Sequence, residues 1–188
     1  MVTIKPFDQQ NVALHYKWSN DEELNYFDSE DIHKVESFES FLRHIKSVVD
    51  EKNATADLFE IHLSGNGKLI GIVDLHEIDP QNRRCYVKCS IGDRKYTGKK
   101  YEVEALRKTL AYCFNELEMH KVCTAAFDFN TTWIEEVQKL GFRQEGKLRE
   151  HLRRDDGYCD KLVFGLLDQE FEQAQQETEL HPVNQHAG

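Results

Sequence analysis

One stretch of this sequence restricts the fold more than any other: a strand, a basic loop with a glycine, a long helix and a second strand follow one another. Apolar residues recur at spacings of three and four from Val103 to Leu117, which predicts an amphipathic helix over 101–118. The flanking segments 85–91 and 121–128 are short and apolar, as strands are. A strand, a helix and a strand in succession form a crossover, so the sheet is expected to contain a parallel step.

The remaining pattern predicts a mixed α/β domain. Its order is a strand, two helices, three strands, the long helix, a strand, a short helix and two closing strands. Asp8 is expected to cap the first helix, and a tight turn at Gly65-Asn66-Gly67 predicts a hairpin. We expect residues 1–168 to form one domain and residues 169–188 to form a polar tail, partly disordered.

Composition narrows the range of possible functions. The formal net charge is −10 over 188 residues, which argues against nucleic-acid binding and is compatible with a small cationic partner. The apolar runs fall well short of the roughly 20 residues of a membrane helix. Five cysteines without a CxxC pair indicate reduced thiols, a cytoplasmic location and no metal site.

The loop before the long helix has the character of an anion site. Its cations Arg94, Lys95, Lys99 and Lys100 fall within seven residues of an otherwise acidic chain, and Gly98 permits close approach of the backbone to a ligand. The first amides of the following helix lack intrahelical partners and attract negative charge. A solvated basic loop would explain the loop alone equally well.

A second motif decides between these interpretations. The segment KYTGKK at 95–100 is followed downstream by Asn130 and by Leu140-Gly141-Phe142. In order and spacing these motifs resemble the GNAT superfamily of N-acetyltransferases, and within it the ribosomal-protein alanine and spermidine acetyltransferase branch. The resemblance covers nearly all of residues 1–168. It implies a central, mostly antiparallel mixed sheet with a parallel, splayed strand pair, flanked by about four helices.

The resemblance also implies the cofactor, acetyl-coenzyme A (acetyl-CoA), and transfer of its acetyl group to a primary amine. A backbone amide near Ser90 or Ile91 would polarise the thioester, and pantetheine would pair with the splayed strands 87–91 and 125–129. The residues that the resemblance assigns to the cofactor are Ser90, Ile91, Lys95, Tyr96, Thr97, Gly98, Lys99, Lys100, Tyr101 and Asn130.

For catalysis, Glu77 is our first choice of general base, with Tyr86 and His76 second, while Asn130 would orient pantetheine or a water. Three positions depart from the family pattern. Lys100 replaces a small residue, Tyr86 replaces the glutamate of many spermidine-type members, and Val137 replaces the tyrosine proposed as general acid.

The acceptor is expected to be a small cationic amine, such as a polyamine, or a protein N-terminus. The acidic segment with Glu22, Glu23 and Asp28 suits a cation, and the specific binding candidates are Glu30, Asp31, Asp74 and Glu77. An alternative is a degenerate domain that binds acetyl-CoA as a sensor or scaffold without turnover. The sequence leaves the oligomeric state open, with a homodimer among the options.

Overall fold

The computed structural model describes residues 1–27, 29–31, 35–49, 55–98, 100–155 and 157–180. The strands are β1 (Val2–Pro6), β2 (Asp57–Leu63), β3 (Leu69–Asp79), β4 (Arg84–Ile91), β5 (Lys121–Phe127), β6 (Arg143–Arg154) and β7 (Gly157–Leu167). The helices are α1 (Val12–Ser19), α2 (Glu22–Asn25), α3 (Phe38–Val49), α4 (Tyr101–Asn115), α5 (Thr131–Lys139) and α6 (Asp168–Leu180), with a 3₁₀ turn at Gln9–Asn11 before α1.

The seven strands form one sheet in the order β1-β2-β3-β4-β5-β7-β6. All neighbours are antiparallel except β4 and β5, which are parallel and are joined through α4. The mixed sheet with one parallel step is therefore confirmed. Asp8 caps the 3₁₀ turn, as its carboxylate accepts a hydrogen bond from the Gln10 amide at 2.9 Å. No helix in the described parts of the chain has the length and apolarity needed to span a bilayer.

The helices cover both faces of the sheet. Because strand side chains alternate between faces, Val73 and Ile72 point in opposite directions. Val73 belongs to the main core together with Leu106 and Leu110 of α4. Ile72 packs on the smaller core that Ile45 of α3 helps to form. The sheet thus has an α4 face and an α3 face.

The C-terminal helix α6 is attached to the main core by its first turn. Phe171 is 5% exposed, and its ring centroid lies 5.0 Å from that of Phe114 in α4. The start of the predicted polar tail is therefore helical and packed against the domain.

A buried carboxylate ties the N-terminal segment to the sheet. Glu60 of β2 is 1% exposed, and its oxygens lie 3.0 Å from His15 Nε2 and 2.8 Å from His62 Nε2. Asn11 Nδ2 donates to both oxygens, at 3.0 and 3.1 Å. Burial by itself raises the pKa of Glu60, but the hydrogen bonds from its three partners outweigh burial, so the pKa is lowered. The ionised carboxylate thus holds α1 on the α3 face.

We predict that Glu60→Gln lowers the free energy of unfolding by about 3 kcal/mol, because it removes a buried charge from three hydrogen-bond partners. Urea denaturation at neutral pH measures this loss. Glu39→Gln, at a side chain that is 89% exposed, is the matched control and should change stability by less than about 0.5 kcal/mol. A similarly small loss for Glu60→Gln would contradict the structural role of Glu60.

The same network predicts a pH dependence. Since the pKa of Glu60 is lower in the folded protein than its ordinary value of about 4.3, the stabilisation is complete above that value and is lost as the pH falls through the folded pKa. From about pH 5 to pH 3, the unfolding free energy should fall more steeply in the unmodified protein than in Glu60→Gln. Urea titrations at several pH values test this, and parallel curves would exclude it.

Candidate active site

The parallel ladder between β4 and β5 is short and opens into a cleft. It joins Arg84 to Lys121 and ends at the pair Tyr86 and Cys123, although both strands continue for several residues. At the first open position, the Thr124 hydroxyl donates a hydrogen bond to the Val87 carbonyl at 3.0 Å. Beyond this point the strands diverge, which leaves the remainder of β4 facing a cleft. This is the splayed pair that the family resemblance implied.

On the α4 face, the cleft widens into a cavity of about 640 Å³, here called the helix-side cavity. It lies between the loop before α4 and the start of α5. The lining residues used below are Ile91, Thr97, Gly98, Lys100, Asn130 and Trp133.

Asp93 organises the loop before α4. Its carboxylate accepts a hydrogen bond from the Lys95 amide at 3.0 Å and pairs with Lys68 Nζ at 2.6 Å, and its backbone carbonyl accepts from the Tyr96 amide at 2.8 Å. The bond from Lys68 is the main cause of the lowered pKa of Asp93. Lys68 also lies over the Tyr96 ring, 5.0 Å from its centroid. The loop is therefore shaped by its own contacts.

The end of the loop turns into α4 through left-handed backbone. Gly98 has φ of 68°, and a Cβ built on it would have no atom within 4 Å. Lys100, the N-cap of α4, has φ of 60° and offers no side-chain acceptor to the first helical amides. The positive end of α4 thus borders an open cavity, as an anion site requires.

The predicted basic residues do not all reach this cavity. Arg94 lines the cavity, but its guanidinium is bonded to Asp21 at 2.7 Å and to Glu23. Lys95 is exposed and lies outside the cavity lining. Lys100 lines the cavity, while Lys99 falls outside the described residues.

Only some of the other residues predicted to bind the cofactor line the helix-side cavity. Thr97, Tyr96 and Ile91 line the helix-side cavity. The Tyr101 ring packs edge-on against that of Tyr96 at 5.7 Å, and Ser90 lies on the α3 face instead.

A second cavity, of about 320 Å³, occupies the other side of the opening and is here called the splay cavity. Among its lining residues are Glu77, His76, Tyr86 and Lys88. It shares Phe27, Asn130 and Trp133 with the helix-side cavity, so the two cavities meet across the gap between β4 and β5.

Asn130 holds this meeting point in place, as its side chain is the N-cap of α5 and accepts from the Trp133 amide at 3.4 Å. The three predicted catalytic residues, Glu77, Tyr86 and Asn130, therefore line one cavity.

Glu77 lies inside β3, although the sequence placed it after a strand ending at Leu75. The β3–β4 register shifts between His76 and Asp79, Glu77 adopts φ of 49°, and the Ile78 amide bonds to the Thr55 carbonyl at 2.9 Å. This is a β-bulge, which redirects a side chain from its regular alternation. Here the bulge lies at Glu77, whose carboxylate is in the wall of the splay cavity.

Next to Glu77, the rings of His76 and Tyr86 stack with centroids 5.7 Å apart. Burial raises the pKa of the Tyr86 phenol, and the nearby Glu77 carboxylate adds to this effect. Tyr86 is therefore a neutral hydrogen-bond donor at physiological pH. This protonation state is opposite to the one that a general base requires.

The acidic segment after α1 reaches the splay cavity, but its charges are paired. Glu30 lies 2.7 Å from Lys161 Nζ and 3.3 Å from His151 Nε2, and the bond to Lys161 is the main cause of its lowered pKa. Asp31 is exposed and outside the lining of either cavity, and Asp28 falls outside the described residues. Asp74 lines a third cavity on the α3 face.

Arg154 fixes this segment, and the sequence analysis did not identify it. The residue is 6% exposed, and its guanidinium donates a hydrogen bond to the Ser29 carbonyl at 2.5 Å. The guanidinium also lies over the rings of Tyr26, Phe127 and Phe129, 5.1 to 6.0 Å from their centroids. An arginine beside a turn carries no local signal for such burial. Its partners lie far away in the chain.

Comparison with known proteins identifies the fold and the family. Residues 2–143 match the family described as acetyltransferase (GNAT) domain. The chain belongs to the GNAT acetyltransferase family. The provisionally named ribosomal N-acetyltransferase YdaF of Bacillus subtilis is 32% identical over 127 residues, which cover 66% of this chain and 69% of that protein. The uncharacterised N-acetyltransferase p20 of Bacillus licheniformis is 26% identical over 164 residues, with 87% and 90% coverage.

Solved GNAT structures share the architecture. Spermidine N-acetyltransferase from Vibrio cholerae, in complex with CoA and spermine, superposes with a TM-score of 0.81 at 22% identity, covering 91% of this chain and 98% of that one. At this identity the likeness establishes the fold. GNAT acetyltransferases use acetyl-CoA, so this chain is an acetyl-CoA-dependent N-acetyltransferase, and nothing in the comparisons favours the alternative without turnover.

The helix-side cavity yields a prediction with a matched control. Gly98→Trp should weaken CoA binding at least tenfold, because a bulky side chain would occupy the space beside the first turn of α4. Gly67→Trp is the control, since Gly67 has φ of 69° and equally open surroundings but lies in the β2–β3 turn, outside the lining of the helix-side cavity. Calorimetric titration with CoA measures both. Equal affinities would mean that the pyrophosphate binds elsewhere.

Proposed function

We propose that this enzyme acetylates the primary amine of a small cationic acceptor, which enters through the splay cavity while acetyl-CoA enters from the helix side. The observation that carries the proposal is the meeting of the two cavities at Asn130 and Trp133, in the gap where the β4–β5 ladder ends. An acyl donor and an amine can meet there from opposite faces of the sheet.

The helix-side residues fit coenzyme A. The first amides of α4 and the open left-handed turn at Gly98 suit a pyrophosphate, and Lys100 adds a positive charge. Beyond its ladder with β5, β4 continues along the cleft to Ile91, and pantetheine would lie against this part of the strand. When bound, acetyl-CoA supplies the activated acetyl group, while the protein positions the two substrates and accepts the proton of the amine.

Glu77 is the proposed general base. A protonated amine must lose a proton before it can attack, and the Glu77 carboxylate lies in the wall of the cavity that receives the amine. Tyr86, held neutral, would donate a hydrogen bond from its Oη. Val137, at the position of the usual family tyrosine, is fully buried and has no proton to give.

A small acceptor suits the walls of the splay cavity. The segment around Phe27 and Glu30 is anchored to β7 by Lys161 and to β6 by Arg154, so it forms a fixed rim on the cavity. The spermidine N-acetyltransferase structures support a polyamine-like acceptor. YdaF, at 32% identity, supports a protein N-terminus as the second candidate.

An amine panel tests the proposal. Thiol release from acetyl-CoA should be fastest with linear aliphatic amines and slow with peptides that carry a free N-terminus. Faster turnover of peptides would favour the second candidate. Tight CoA binding with no turnover on any amine would refute catalysis through this site.

The role of Glu77 has a matched control. Glu77→Gln should lower kcat by about 100-fold or more at neutral pH without weakening CoA binding, because the amide cannot accept the proton. Glu118→Gln is the control: Glu118 is also a left-handed glutamate, with φ of 51°, but it is exposed at the end of α4. Steady-state kinetics compare the variants. An unchanged kcat for Glu77→Gln would mean that Glu77 is not the general base.

A further inference from the structure

Where the helix-side cavity and the splay cavity meet, they share three of their described lining residues: Phe27, Asn130 and Trp133. The rest of their described walls differ, so the space narrows at these residues, and the narrow part is here called the acyl passage. Asn130 is fixed by its cap bond to the Trp133 amide. The other two side chains are large aromatic rings, so their bulk limits what the acyl passage can hold.

Trp133 is held in place by the main core. It lies in the first turn of α5, is half-buried and packs against that core. Val137, four residues later and therefore on the same face of the helix, is fully buried in the core. Withdrawal of the indole from the acyl passage would therefore require α5 to move away from the core.

Phe27 is held by the rings around Arg154. Its ring centroid lies 5.1 Å from that of Tyr26 and 5.9 Å from that of Phe129. The Arg154 guanidinium lies over both of these rings, and the Tyr26 hydroxyl donates a hydrogen bond to Asp155 at 2.7 Å. The buried arginine thus holds the aromatic contacts that position Phe27.

The place of acyl transfer follows from the two cavities. The bond from the carbonyl carbon to sulfur is replaced by a bond to nitrogen, so this carbon must reach both atoms. Under the proposed function the thioester comes from the helix-side cavity and the amine from the splay cavity, and these cavities meet at the acyl passage. The substituent on the carbonyl carbon therefore lies against Phe27 and Trp133.

We propose that Phe27 and Trp133 restrict the donor to a short acyl group, so that the enzyme accepts acetyl-CoA and excludes longer acyl-CoA thioesters. Each methylene group beyond acetyl has to displace one of the two rings, and both are held by their neighbours. One methylene group in an apolar pocket changes a rate or an affinity by about 10- to 200-fold. The inference rests on the proposed function for the place of transfer and adds a donor selectivity that the proposed function leaves open.

Trp133→Ala tests the size limit by calorimetric titration with CoA, acetyl-CoA, propionyl-CoA and butyryl-CoA in the absence of an acceptor. The unmodified protein should bind butyryl-CoA more weakly than acetyl-CoA, by about tenfold or more. In Trp133→Ala the difference should fall to about twofold or less, because loss of the indole leaves room for the chain. Equal affinities of the unmodified protein for acetyl-CoA and butyryl-CoA would overturn the proposal.

Phe27→Ala is a second test, which disturbs the core little because Phe27 is 48% exposed. It should also reduce the difference between butyryl-CoA and acetyl-CoA. Phe38→Ala is the matched control, since Phe38 is 42% exposed and lies in α3, outside the described lining of either cavity. It should keep the full difference. Thermal melting shows whether Trp133→Ala is folded, and if it is not, an unchanged difference in Phe27→Ala overturns the proposal by itself.

Steady-state kinetics with one linear amine separate this inference from the proposed function. The kcat/KM for butyryl-CoA relative to acetyl-CoA should rise about tenfold or more in Trp133→Ala. Length discrimination in binding that Trp133→Ala removes, without turnover of any amine by the unmodified protein, would keep the acyl passage and overturn the proposed reaction. Turnover of linear amines at equal rates from acetyl-CoA and butyryl-CoA would keep the proposed reaction and overturn the size limit.

Discussion

The early end of the β4–β5 ladder is the constraint on which the rest of the site depends. A parallel pair requires a crossover, and the crossover helix α4 begins near the edge where β4 ends. Its N-terminus therefore lies beside the part of β4 that extends beyond the ladder with β5. The parallel crossover thus places the positive end of α4 and the cleft beside β4 at the same end of the sheet.

The net charge of −10 does not produce an acidic cleft. Glu30 is paired with Lys161, and Arg94 binds two carboxylates near the start of α2. These ion pairs attach much of the acidic segment to the rest of the domain. Arg154 completes this attachment through aromatic contacts. Glu77, in the wall of the splay cavity, is the carboxylate that we propose to receive an amine.

Local patterns predicted the frame of the site, because periodicity and turn chemistry are properties of neighbouring residues. The helix after Gly98, the crossover and the hairpin turn at Gly65-Asn66-Gly67 all follow from short segments. The positions of Glu77 and Arg154 do not. Glu77 depends on a bulge fixed by a bond to Thr55, and Arg154 binds Ser29, 125 residues away. Such long-range contacts produce no periodic pattern in the sequence.

Backbone strain links the fold to the proposed chemistry. Among the described residues, six other than glycine have positive φ; Arg83 and Asp155 lie in hairpin turns, where such angles are common. Glu77 and Lys100, by contrast, line the cavities. A left-handed residue with a long side chain is unfavourable by about 1 kcal/mol or more, so the surrounding contacts must enforce it. At Glu77, the enforcing bulge also takes the carboxylate out of the regular strand alternation and places the proposed base in the cavity wall.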